Sequence, residues 1–416
     1  MDAAGQHGRE ELRRAEYDLS VLAPNGLRRG RSTGSCATAA VRAALYRLLG
    51  GIRLERTEVS LPDGVHFISV PIKGVELIDD EMAQAEVLKD GGDDPDNTHG
   101  ATIFAQVRRN DLGQIRFFAG EGVGTATMPG LRVAVGEPAI NPVPRAMMRA
   151  AVAEVLDELC PPERIGDAGW TGQGFDLTVG CREGMAIAPK TFNPKLGIVG
   201  GISILGTSGI VEPMSMASWI ASIEVYIRVA LADCKEGDEV AYLPGKIGRT
   251  FAAQELGLPD KRSVQIANFL GDALDFTQQA LAEEGRRLPV LWLAGHPGKL
   301  AKVLDGVWDT HSSKSNMAMQ GVSRVAQEIL QQHEQQGTTT QQPAAFDAQL
   351  LQQMKEANTV EAVIELVRGR DASLSRVLWS GIEARIAALA AARVPNVDRV
   401  EVRLFDLDGR QLGAGA

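Results

Sequence analysis

The chain has little cysteine: four residues in 416, with no Cys-x-x-Cys pair. No histidine stands at a spacing that would complete a zinc site, so the sequence excludes a disulfide scaffold and a zinc module. We expect reduced thiols, a cytoplasmic protein and no metal site of the protein's own. The four residues are Cys36, Cys160, Cys181 and Cys234.

Long apolar runs and an excess of basic residues are also missing. The longest uncharged apolar stretch, Leu196–Val211, has 16 residues with five glycines, which is too short and too broken to span a membrane. The segment Met1–Asp18 is charged and lacks the apolar run of a signal peptide. Acidic residues outnumber basic ones by 53 − 43 = 10. This balance argues against a nucleic-acid or membrane partner but permits a local basic pocket for an anionic small molecule.

Glycine, by contrast, is abundant. The chain has 45 glycines in 416 residues, or about 11%, against a usual share of roughly 7%. An apolar content of 44% without collagen-like periodicity excludes fibrous and wholly disordered chains. The length suggests two or three domains. The question is then which backbone segments need the glycines.

Arginines, hydroxyls and glycines stand together in Arg28–Cys36, directly before the alanine-rich run Ala37–Leu49. Hydroxyl residues before good helix formers are typical of a helix N-terminus, where backbone N–H groups bind anions. The segment is therefore either an anion site or an ordinary capped helix behind a solvated basic stretch. Cys36 is either a nucleophile with a lowered thiol pKa or a small packed residue. We favour the packed residue, because no partner histidine can be assigned.

Two further loops in the first half have alternative interpretations. Gly120–Gly124 follows a predicted strand, but Thr127–Gly130 intervenes before any helix. A dinucleotide fingerprint is therefore disfavoured, and we expect a strained turn. The acidic loop Lys89–Gly100 is either a site for a hard cation or, as we favour, a solvated loop, since it lacks EF-hand spacing. Its candidate ligands are Asp93, Asp94, Asp96, Asn97 and His99.

Strands and helices alternate between residues 238 and 294, which is typical of a parallel α/β sheet. The predicted elements are the strands Asp238–Leu243, Ser263–Asn268 and Leu288–Ala294 and the helices Ile247–Leu256 and Asp272–Glu284. Each strand ends in a glycine-bearing loop, and such sheets bind ligands at their carboxyl edge. A nucleotide-like or adenosine-bearing ligand is therefore a candidate for this edge.

The chain is expected to be an α/β protein of two domains, an N-terminal mixed α/β domain and a Rossmann-like parallel α/β domain. A mobile N-terminus is expected at residues 1–26, and the mixed domain with glycine-rich substrate loops at 27–235. The Rossmann-like unit is expected at 236–320 and a Gln/Thr-rich linker or exposed segment at 321–345. C-terminal helices and a closing strand are expected at 346–416.

Taken in order, these segments resemble the CbiD family of cobalt-precorrin-5B C-1-methyltransferases of anaerobic cobalamin biosynthesis. In the first half the matching stretches are RSTGSCATAA (Arg31–Ala40), GGDDPDNTHGA (Gly91–Ala101), GEGVGTATMPGL (Gly120–Leu131) and INPVPRAMM (Ile140–Met148). Further along the chain they are APKTFNPKLGIVGGISILGTSGIVEPMS (Ala188–Ser215), ANFLGDALD (Ala267–Asp275) and GHPGKLAKVLDGVWDTHS (Gly295–Ser312). The positions that depart from the family pattern are Ser32, Asn97, Cys181, Lys246 and Ile247.

The resemblance implies transfer of a methyl group from S-adenosylmethionine to ring carbon C-1 of cobalt-precorrin-5B, giving cobalt-precorrin-6A, with cobalt present only in the substrate. Alignment of donor and acceptor can supply much of the rate, so no catalytic residue is assigned. Groups that bind carboxylates are assigned to the anionic corrinoid: Arg29, Arg31, Thr33, Ser35, Arg145, Lys190 and Lys195. The loops of the parallel sheet are assigned to the methyl donor: Gly245, Gly248, Asn268, Gly271, Gly295, His296 and Lys299.

One feature of a conventional adenosine pocket is missing. An acidic residue often follows the second strand and binds the ribose hydroxyls, but here Asn268 occupies that place, with Asp272 further on. Two other functions stay open: a non-catalytic corrinoid-binding or scaffold protein that contacts neighbouring pathway enzymes, and a nicotinamide-dependent reductase of the same pathway. The absence of a G-x-G-x-x-G motif that opens a helix argues against the reductase.

Overall fold

Residues 14–159, 174–311, 318–335 and 348–413 are described by the structure, which is a computed structural model. The chain divides into two compact units, Met1–Ser215 and Met216–Ala416. Both contain sheets and helices, so the fold is mixed α/β.

The first unit contains three helices and many short strands among its described residues. Its helices are α1 (Thr33–Gly50), α2 (Pro142–Leu159) and α3 (Gly184–Ile187), followed by 3₁₀ turns at Ala188–Lys190 and Asn193–Leu196. Its strands are β1 (Ala15–Glu16), β2 (Gly30–Arg31), β3 (Arg56–Ser60), β4 (His66–Pro71), β5 (Gly74–Asp79), β6 (Met82–Leu88), β7 (Thr102–Asn110), β8 (Ile115–Ala119), β9 (Thr125–Ala126), β10 (Gly174–Cys181), β11 (Ile198–Val199) and β12 (Ile210–Val211).

Helix α1 is the centre of the first unit. It begins after Ser32, whose side chain accepts a hydrogen bond from Ser35 N, and it ends at Gly51, where φ is 68°. Its alanines are fully buried against α2 and against strands β6 and β7, because small side chains let the helix approach the sheet closely. The predicted helix start at this motif is confirmed.

The main sheet of the first unit has five strands in the order β5-β6-β7-β10-β8, all antiparallel except the β10–β8 pair. Strands β1, β4 and β3 form a three-stranded sheet. Two short pairs, β9 with β11 and β2 with β12, hold the glycine-rich segments. Alternating apolar and polar residues predict strands at Thr57–Leu61, His66–Pro71, Thr102–Arg108 and Gln114–Ala119, and these are confirmed as β3, β4, β7 and β8. Strands β5, β6 and β10 of the main sheet are additional.

The second unit is built on a single sheet within its described residues. Its strands are β13 (Glu239–Leu243), β14 (Ser263–Gln265), β15 (Leu288–Gly295) and β16 (Val397–Leu404). Its helices are α4 (Met216–Asp233), α5 (Gly248–Thr250), α6 (Leu270–Glu283), α7 (Pro297–Leu300), α8 (Met319–Gln335), α9 (Ala348–Glu356), α10 (Val360–Arg370) and α11 (Ala372–Ala391). A π-helical turn spans Phe251–Glu255, and 3₁₀ turns span Asp260–Arg262 and Ala301–Asp305.

This sheet is parallel throughout, in the order β14-β13-β15-β16, so the predicted parallel arrangement is confirmed. Both faces are covered: Tyr242 and Leu293 pack on one side, and Ala241 and Trp292 pack on the other. Strand β14 follows β13 in the chain and pairs with it on one side, whereas the next strand, β15, pairs with β13 on the other side. The strand order therefore reverses between β13 and β15. Open parallel sheets bind ligands at such a reversal, outside the carboxyl ends of the strands.

Several expected bounds differ from the structure. Helix α4 belongs to the second unit, because Ile223 and Ile227 pack in the core that covers the parallel sheet. The boundary between the units therefore lies before residue 216 and not after residue 235, where it was expected. The expected helix at 247–256 is a short α turn followed by a π turn. Helices α9 to α11 pack in the same core as the sheet.

The expected terminal and linking segments are only partly described. Of the N-terminus expected to be mobile, residues 14–26 include β1, which pairs with β4, and residues 1–13 lie outside the described residues. Of the expected linker at 321–345, residues up to 335 belong to helix α8, and 336–345 lie outside the described residues. Among the described helices, none is both long enough and apolar enough to cross a membrane.

Candidate functional site

Two glycine-rich segments of the first unit cross at Gly30 and Gly91. A Cβ atom on Gly30 would overlap the carbonyl group of Gly91, so glycine is required for the two backbones to meet. A backbone hydrogen bond joins the same segments, from Arg31 N to Asp90 O at 2.7 Å. The arginine-bearing motif and the acidic loop are therefore a single structural unit.

A second crossing brings three glycine-bearing segments together around Gly122. A Cβ atom on Gly122 would overlap the carbonyl oxygen of Cys181. A Cβ atom on Gly184 or Gly201 would in turn overlap the carbonyl of Gly122. The turn expected at Gly120–Gly124 has a φ of 73° at Gly122. These glycines allow backbone segments from distant parts of the sequence to pack directly on one another.

The acidic loop binds protein donors through three carboxylates. The contacts run from Arg28 N to Asp93 Oδ2 (2.8 Å), from Met214 N to Asp94 Oδ1 (2.9 Å) and from Lys89 Nζ to Asp96 Oδ2 (2.6 Å). Burial opposes ionisation of Asp96, but the Lys89 ammonium and the hydrogen bonds from Lys89 and Thr98 together lower the pKa of this carboxyl. Asn97 Nδ2 donates to Lys190 O at 3.1 Å. The described residues contain no metal-binding cluster of three His, Cys, Asp or Glu side chains, and the loop acts as a clamp between segments.

Arg29 and Arg31 lie beside this clamp with most of their side chains buried. Arg29 Nε donates to Glu212 Oε1 at 2.5 Å, and its Nη1 donates to Val21 O at 2.9 Å. Arg31 Nη2 donates to Ser69 O at 3.2 Å, while its buried Nε has no hydrogen-bond partner among the described residues. Arg29 is thus held by the protein itself, and Arg31, which also pairs with Asp90 Oδ2 at 3.8 Å, keeps one buried nitrogen without a partner among the described residues.

Thr33 and Ser35 at the start of α1 bind neighbouring backbone. Thr33 Oγ1 accepts from Leu205 N at 2.9 Å, and Ser35 Oγ donates to Gly209 O at 2.6 Å. Both residues are buried, so their hydroxyls fix the glycine-rich segment against the helix. Cys36 is also fully buried, and burial raises the pKa of its thiol to about 12. The thiol is therefore protonated at neutral pH, in keeping with the packed-residue interpretation.

Arg145 in α2 is occupied by the segment before its helix. Its Nε donates to Ile140 O at 2.8 Å, and its Nη2 donates to Pro138 O at 3.1 Å. Its Nη1 forms an ion pair with Glu137 Oε2 at 3.0 Å, and the guanidinium lies 5.3 Å from the ring centre of Phe117. These contacts make Arg145 a support for residues 137–140.

Residues 184–215, which begin at α3, are called here the glycine-rich block. Lys190 and Lys195 lie exposed on its surface. Large apolar side chains of the same block are also exposed, with relative exposures of 50–62%. They are Met185, Phe192, Val199 and Leu205. The block therefore presents both cations and large apolar groups to solvent.

The loops after β13 and β15 meet at the carboxyl edge of the parallel sheet. Lys299 Nζ donates to Pro244 O at 2.8 Å, and a Cβ atom on Gly295 would lie 3.2 Å from the Pro244 ring. A Cβ atom on Gly248 would overlap the carbonyl oxygen of Ala294, so this glycine permits contact between loop and strand. A Cβ atom on Gly245 would meet nothing within 4 Å, which leaves open space in front of the loop.

Asn268 and Gly271 hold a different segment. Thr310 N donates to Asn268 O at 2.9 Å, and Gly271 N donates to Trp308 O at 3.2 Å. A Cβ atom on Gly271 would lie 2.8 Å from Trp308 Cβ. Lys302 Nζ donates to Thr310 O at 3.0 Å. The backbone at Asn268 and Gly271 therefore fixes residues 308–310.

His296 caps helix α7 and contacts a residue that the sequence did not indicate. Its Nδ1 accepts from Gly298 N at 3.0 Å, and its Nε2 lies 2.9 Å from Glu361 Oε2. Glu361 lies in the first turn of α10, which packs on α7. The N-cap Thr359 and the buried apolar face of α10 could have predicted the helix, but nothing in the sequence relates it to residue 296.

Burial changes the charge balance at this edge. Burial, together with the nearby charge of Lys302, lowers the pKa of Lys299. Burial also lowers the pKa of Lys302. The sheet edge thus carries two partly desolvated ammonium groups, the neutral Gly245 loop and the His296–Glu361 pair.

The chain matches two protein-family models. The model described as CbiD matches residues 21–213, and the model described as the CbiD C-terminal domain matches residues 309–416. The chain is 56% identical to a cobalt-precorrin-5B C(1)-methyltransferase of Ralstonia nicotianae, covering 96% of this chain and 97% of that one. It is 54% identical to the protein of the same name from Chromobacterium violaceum, covering 97% and 99%.

More distant relatives carry the same name. A cobalt-precorrin-5B C(1)-methyltransferase of Moorella thermoacetica is 39% identical, covering 93% of this chain and 94% of that one. A crystal structure of a cobalamin biosynthesis protein (cbiD) from Archaeoglobus fulgidus aligns with a TM-score of 0.36 at 25% identity, covering 71% of this chain and 86% of that one. The chain belongs to the CbiD family.

Proposed function

We propose that this protein transfers a methyl group from S-adenosylmethionine to C-1 of cobalt-precorrin-5B, giving cobalt-precorrin-6A. The observation that carries the proposal is the 56% identity to a cobalt-precorrin-5B C(1)-methyltransferase over 96% of the chain. The family-model matches at both ends of the chain support it. The protein would act in the cytoplasm, on an intermediate supplied and consumed by other enzymes of corrin-ring synthesis.

We assign the methyl donor to the parallel sheet, which we take as a Rossmann-like domain. Three features support this assignment: the reversal of strand order between β13 and β15, the open space in front of Gly245, and the close packing at Gly248. The sulfonium of the donor supplies an electrophilic methyl group. The protein has to hold the donor in line with the acceptor carbon and exclude water, which needs no nucleophilic side chain.

We assign the corrinoid to the glycine-rich block of the first unit. A corrinoid is a large ring with apolar faces and peripheral carboxylates, so its site needs apolar contacts flanked by cations. Lys190 and Lys195 are exposed beside large apolar side chains and suit this role. Arg31, whose guanidinium is mostly buried beside Asp90, would add a positive charge. The other four assigned residues, Arg29, Thr33, Ser35 and Arg145, would act by holding the loops in place, as their contacts within the protein indicate.

The test is a labelling experiment under anaerobic conditions. The purified protein is incubated with cobalt-precorrin-5B and S-adenosylmethionine that carries a labelled methyl group. The proposal requires label in the corrinoid, at C-1 by NMR, together with one equivalent of S-adenosylhomocysteine. Corrinoid binding without label transfer would favour the scaffold alternative. Consumption of a reduced nicotinamide cofactor, added in a parallel reaction, would instead favour the reductase.

A further inference from the structure

A carboxylate from the C-terminal helices lies at the carboxyl edge of the parallel sheet. Glu361 Oε2 is 2.9 Å from His296 Nε2, and His296 directly follows β15. The Glu361 side chain is 28% exposed and the His296 side chain is 19% exposed. The carboxylate is thus largely enclosed but not fully buried, and it contacts the residue that directly follows β15.

The position of Glu361 is set by helix α10. The side chain of Thr359 accepts from Ala362 N and so caps the helix. The apolar face of α10 is buried in the core of the second unit. At the other end of the helix, Arg368 Nη2 donates to the buried carboxylate of Asp406 at 2.7 Å. Because Asp406 follows β16, both ends of α10 are tied to the rest of the unit.

The imidazole of His296 orients the carboxylate. Its Nδ1 accepts a hydrogen bond from Gly298 N, so the proton of the neutral ring is on Nε2, which donates to Glu361 Oε2. Both ring nitrogens are therefore used within the protein. Glu361 Oε1 forms no hydrogen bond with any residue that the structure describes, which leaves an acceptor whose direction is fixed by its neighbour.

From this geometry we propose that Glu361 binds the ribose hydroxyls of the methyl donor. The inference rests on the proposed function, since it needs S-adenosylmethionine at this edge. In open parallel sheets an acidic side chain commonly binds the ribose diol. Here the second strand is followed by Asn268, whose backbone is engaged by Thr310. Glu361, from a distant part of the sequence, instead brings a carboxylate to the same edge of the sheet beside the end of β15.

His296 then has a positioning role. It holds Oε2 of Glu361 through its Nε2–H, and through Nδ1 it holds the start of α7. A carboxylate that accepts one hydrogen bond from the protein retains further lone pairs for ligand hydroxyls. The pair therefore presents a prepared acceptor at the sheet edge, which lowers the cost of ordering a charged side chain on binding.

The experiment compares two ligands with three proteins by titration calorimetry. The ligands are S-adenosylhomocysteine and its 2′,3′-dideoxy analogue. The proteins are the wild type, Glu361→Gln, and Glu365→Gln as a control one turn further along the same helix. Glu365 is 64% exposed and pairs only with Arg368 among the described residues. Unaltered thermal unfolding shows that each variant is folded.

We expect the wild type and Glu365→Gln to bind the dideoxy analogue about 10- to 100-fold more weakly than S-adenosylhomocysteine, the range for a lost hydrogen bond to a charged group. In Glu361→Gln the affinity for S-adenosylhomocysteine should fall by a similar factor, and the difference between the two ligands should shrink to a few-fold. A carboxylate with a merely structural role would leave that difference unchanged.

The contrary outcomes are separable. If the wild type binds S-adenosylhomocysteine and Glu361→Gln binds it equally well, the assignment of Glu361 is wrong and the proposed function stands. Equal affinity of the wild type for both ligands also overturns the assignment, whether or not the variant folds. If the wild type binds neither ligand nor S-adenosylmethionine, the proposed donor site itself is wrong.

Discussion

Lys299 Nζ donates a hydrogen bond to the carbonyl oxygen of Pro244 at 2.8 Å. This bond joins the loop after β15 to the loop after β13, at the point where the strand order of the parallel sheet reverses. The ammonium is half-buried, and burial together with Lys302 lowers its pKa. A single side chain thus spans the edge at which we place the methyl donor.

Replacing Lys299 with Met should weaken donor binding, since the apolar stem remains while the bond to Pro244 is lost. A hydrogen bond from a charged donor contributes about 1.5–3 kcal/mol, and the part of this that must be restored when the two loops order around the ligand should raise the dissociation constant of S-adenosylmethionine by up to roughly 10-fold. Calorimetry measures the change. Lys261→Met is the matched control, because Lys261 pairs with Asp233 on the surface of the same unit. Equal affinity in wild type and Lys299→Met would contradict the role of this bond.

Gly245, in the loop after β13, and Gly248, at the start of α5, should respond differently to the same substitution. A Cβ atom on Gly245 meets open space, whereas one on Gly248 overlaps Ala294 O. Gly245→Val should therefore leave the free energy of unfolding within about 0.5 kcal/mol of the wild type but abolish detectable S-adenosylmethionine binding, because the valine occupies the ligand's space. Gly248→Val should destabilise the fold by about 1–3 kcal/mol. Denaturant unfolding and calorimetry on both variants separate the two effects.

The contrary results are equally definite. Wild-type affinity in a stable Gly245→Val protein would remove this loop from the donor site. Wild-type stability in Gly248→Val would mean that the loop and β15 do not pack as closely as the structure indicates.

The parallel sheet was predictable mainly from β13 and β15, because each is a short, largely apolar run in a stretch where strands alternate with helix-forming segments. Strand β4 was likewise predictable from alternation, and its bounds agree at both ends. Strand β6, with the sequence MAQAEVL, was not. Its buried positions are partly alanines that face the alanine-rich helix α1, so the strand lacks the large β-branched side chains that mark a strand in a sequence.

The candidate site was predictable to a lesser degree. The hydroxyls of Thr33 and Ser35 are typical of ligand-binding motifs. In the structure they form hydrogen bonds with the backbone of Leu205 and Gly209, some 170 residues later in the chain. Local sequence cannot reveal such long-range partners. The same limit applies to Glu361, whose neighbour His296 is 65 residues away. Tertiary packing, and not local pattern, decides which polar groups remain available.

Glu383 should make the stability of the protein depend on pH. The residue is 6% exposed and accepts from Leu404 N at 2.8 Å. Burial raises the pKa of its carboxyl to about 7, against the opposing effects of that hydrogen bond and of Arg403, while Glu401 adds to the rise. The folded state therefore holds a proton that the unfolded state releases near pH 4.5. Its contribution to stability is complete below that pH and is lost as the pH rises through 7.

The matching substitution is Glu383→Gln, which keeps the shape and removes the titration. Between pH 5 and 8 the free energy of unfolding of the wild type should fall by up to roughly 3 kcal/mol more than that of the variant. Denaturant unfolding across this range measures the difference. Parallel pH profiles for the two proteins would show that the carboxyl is ionised in the folded state at all these pH values.

Lys190 and Lys195 should contribute to binding of the corrinoid and not to binding of the methyl donor. Exposed ion pairs contribute about 0.2–1 kcal/mol each, so the double variant Lys190→Met, Lys195→Met should raise the KM for cobalt-precorrin-5B about 3- to 10-fold. Screening should reduce this ratio at high salt. Lys235→Met, which removes an exposed lysine from the second unit, is the control. An unchanged KM, or an equal loss of S-adenosylmethionine affinity, would contradict the assignment of the corrinoid to the glycine-rich block.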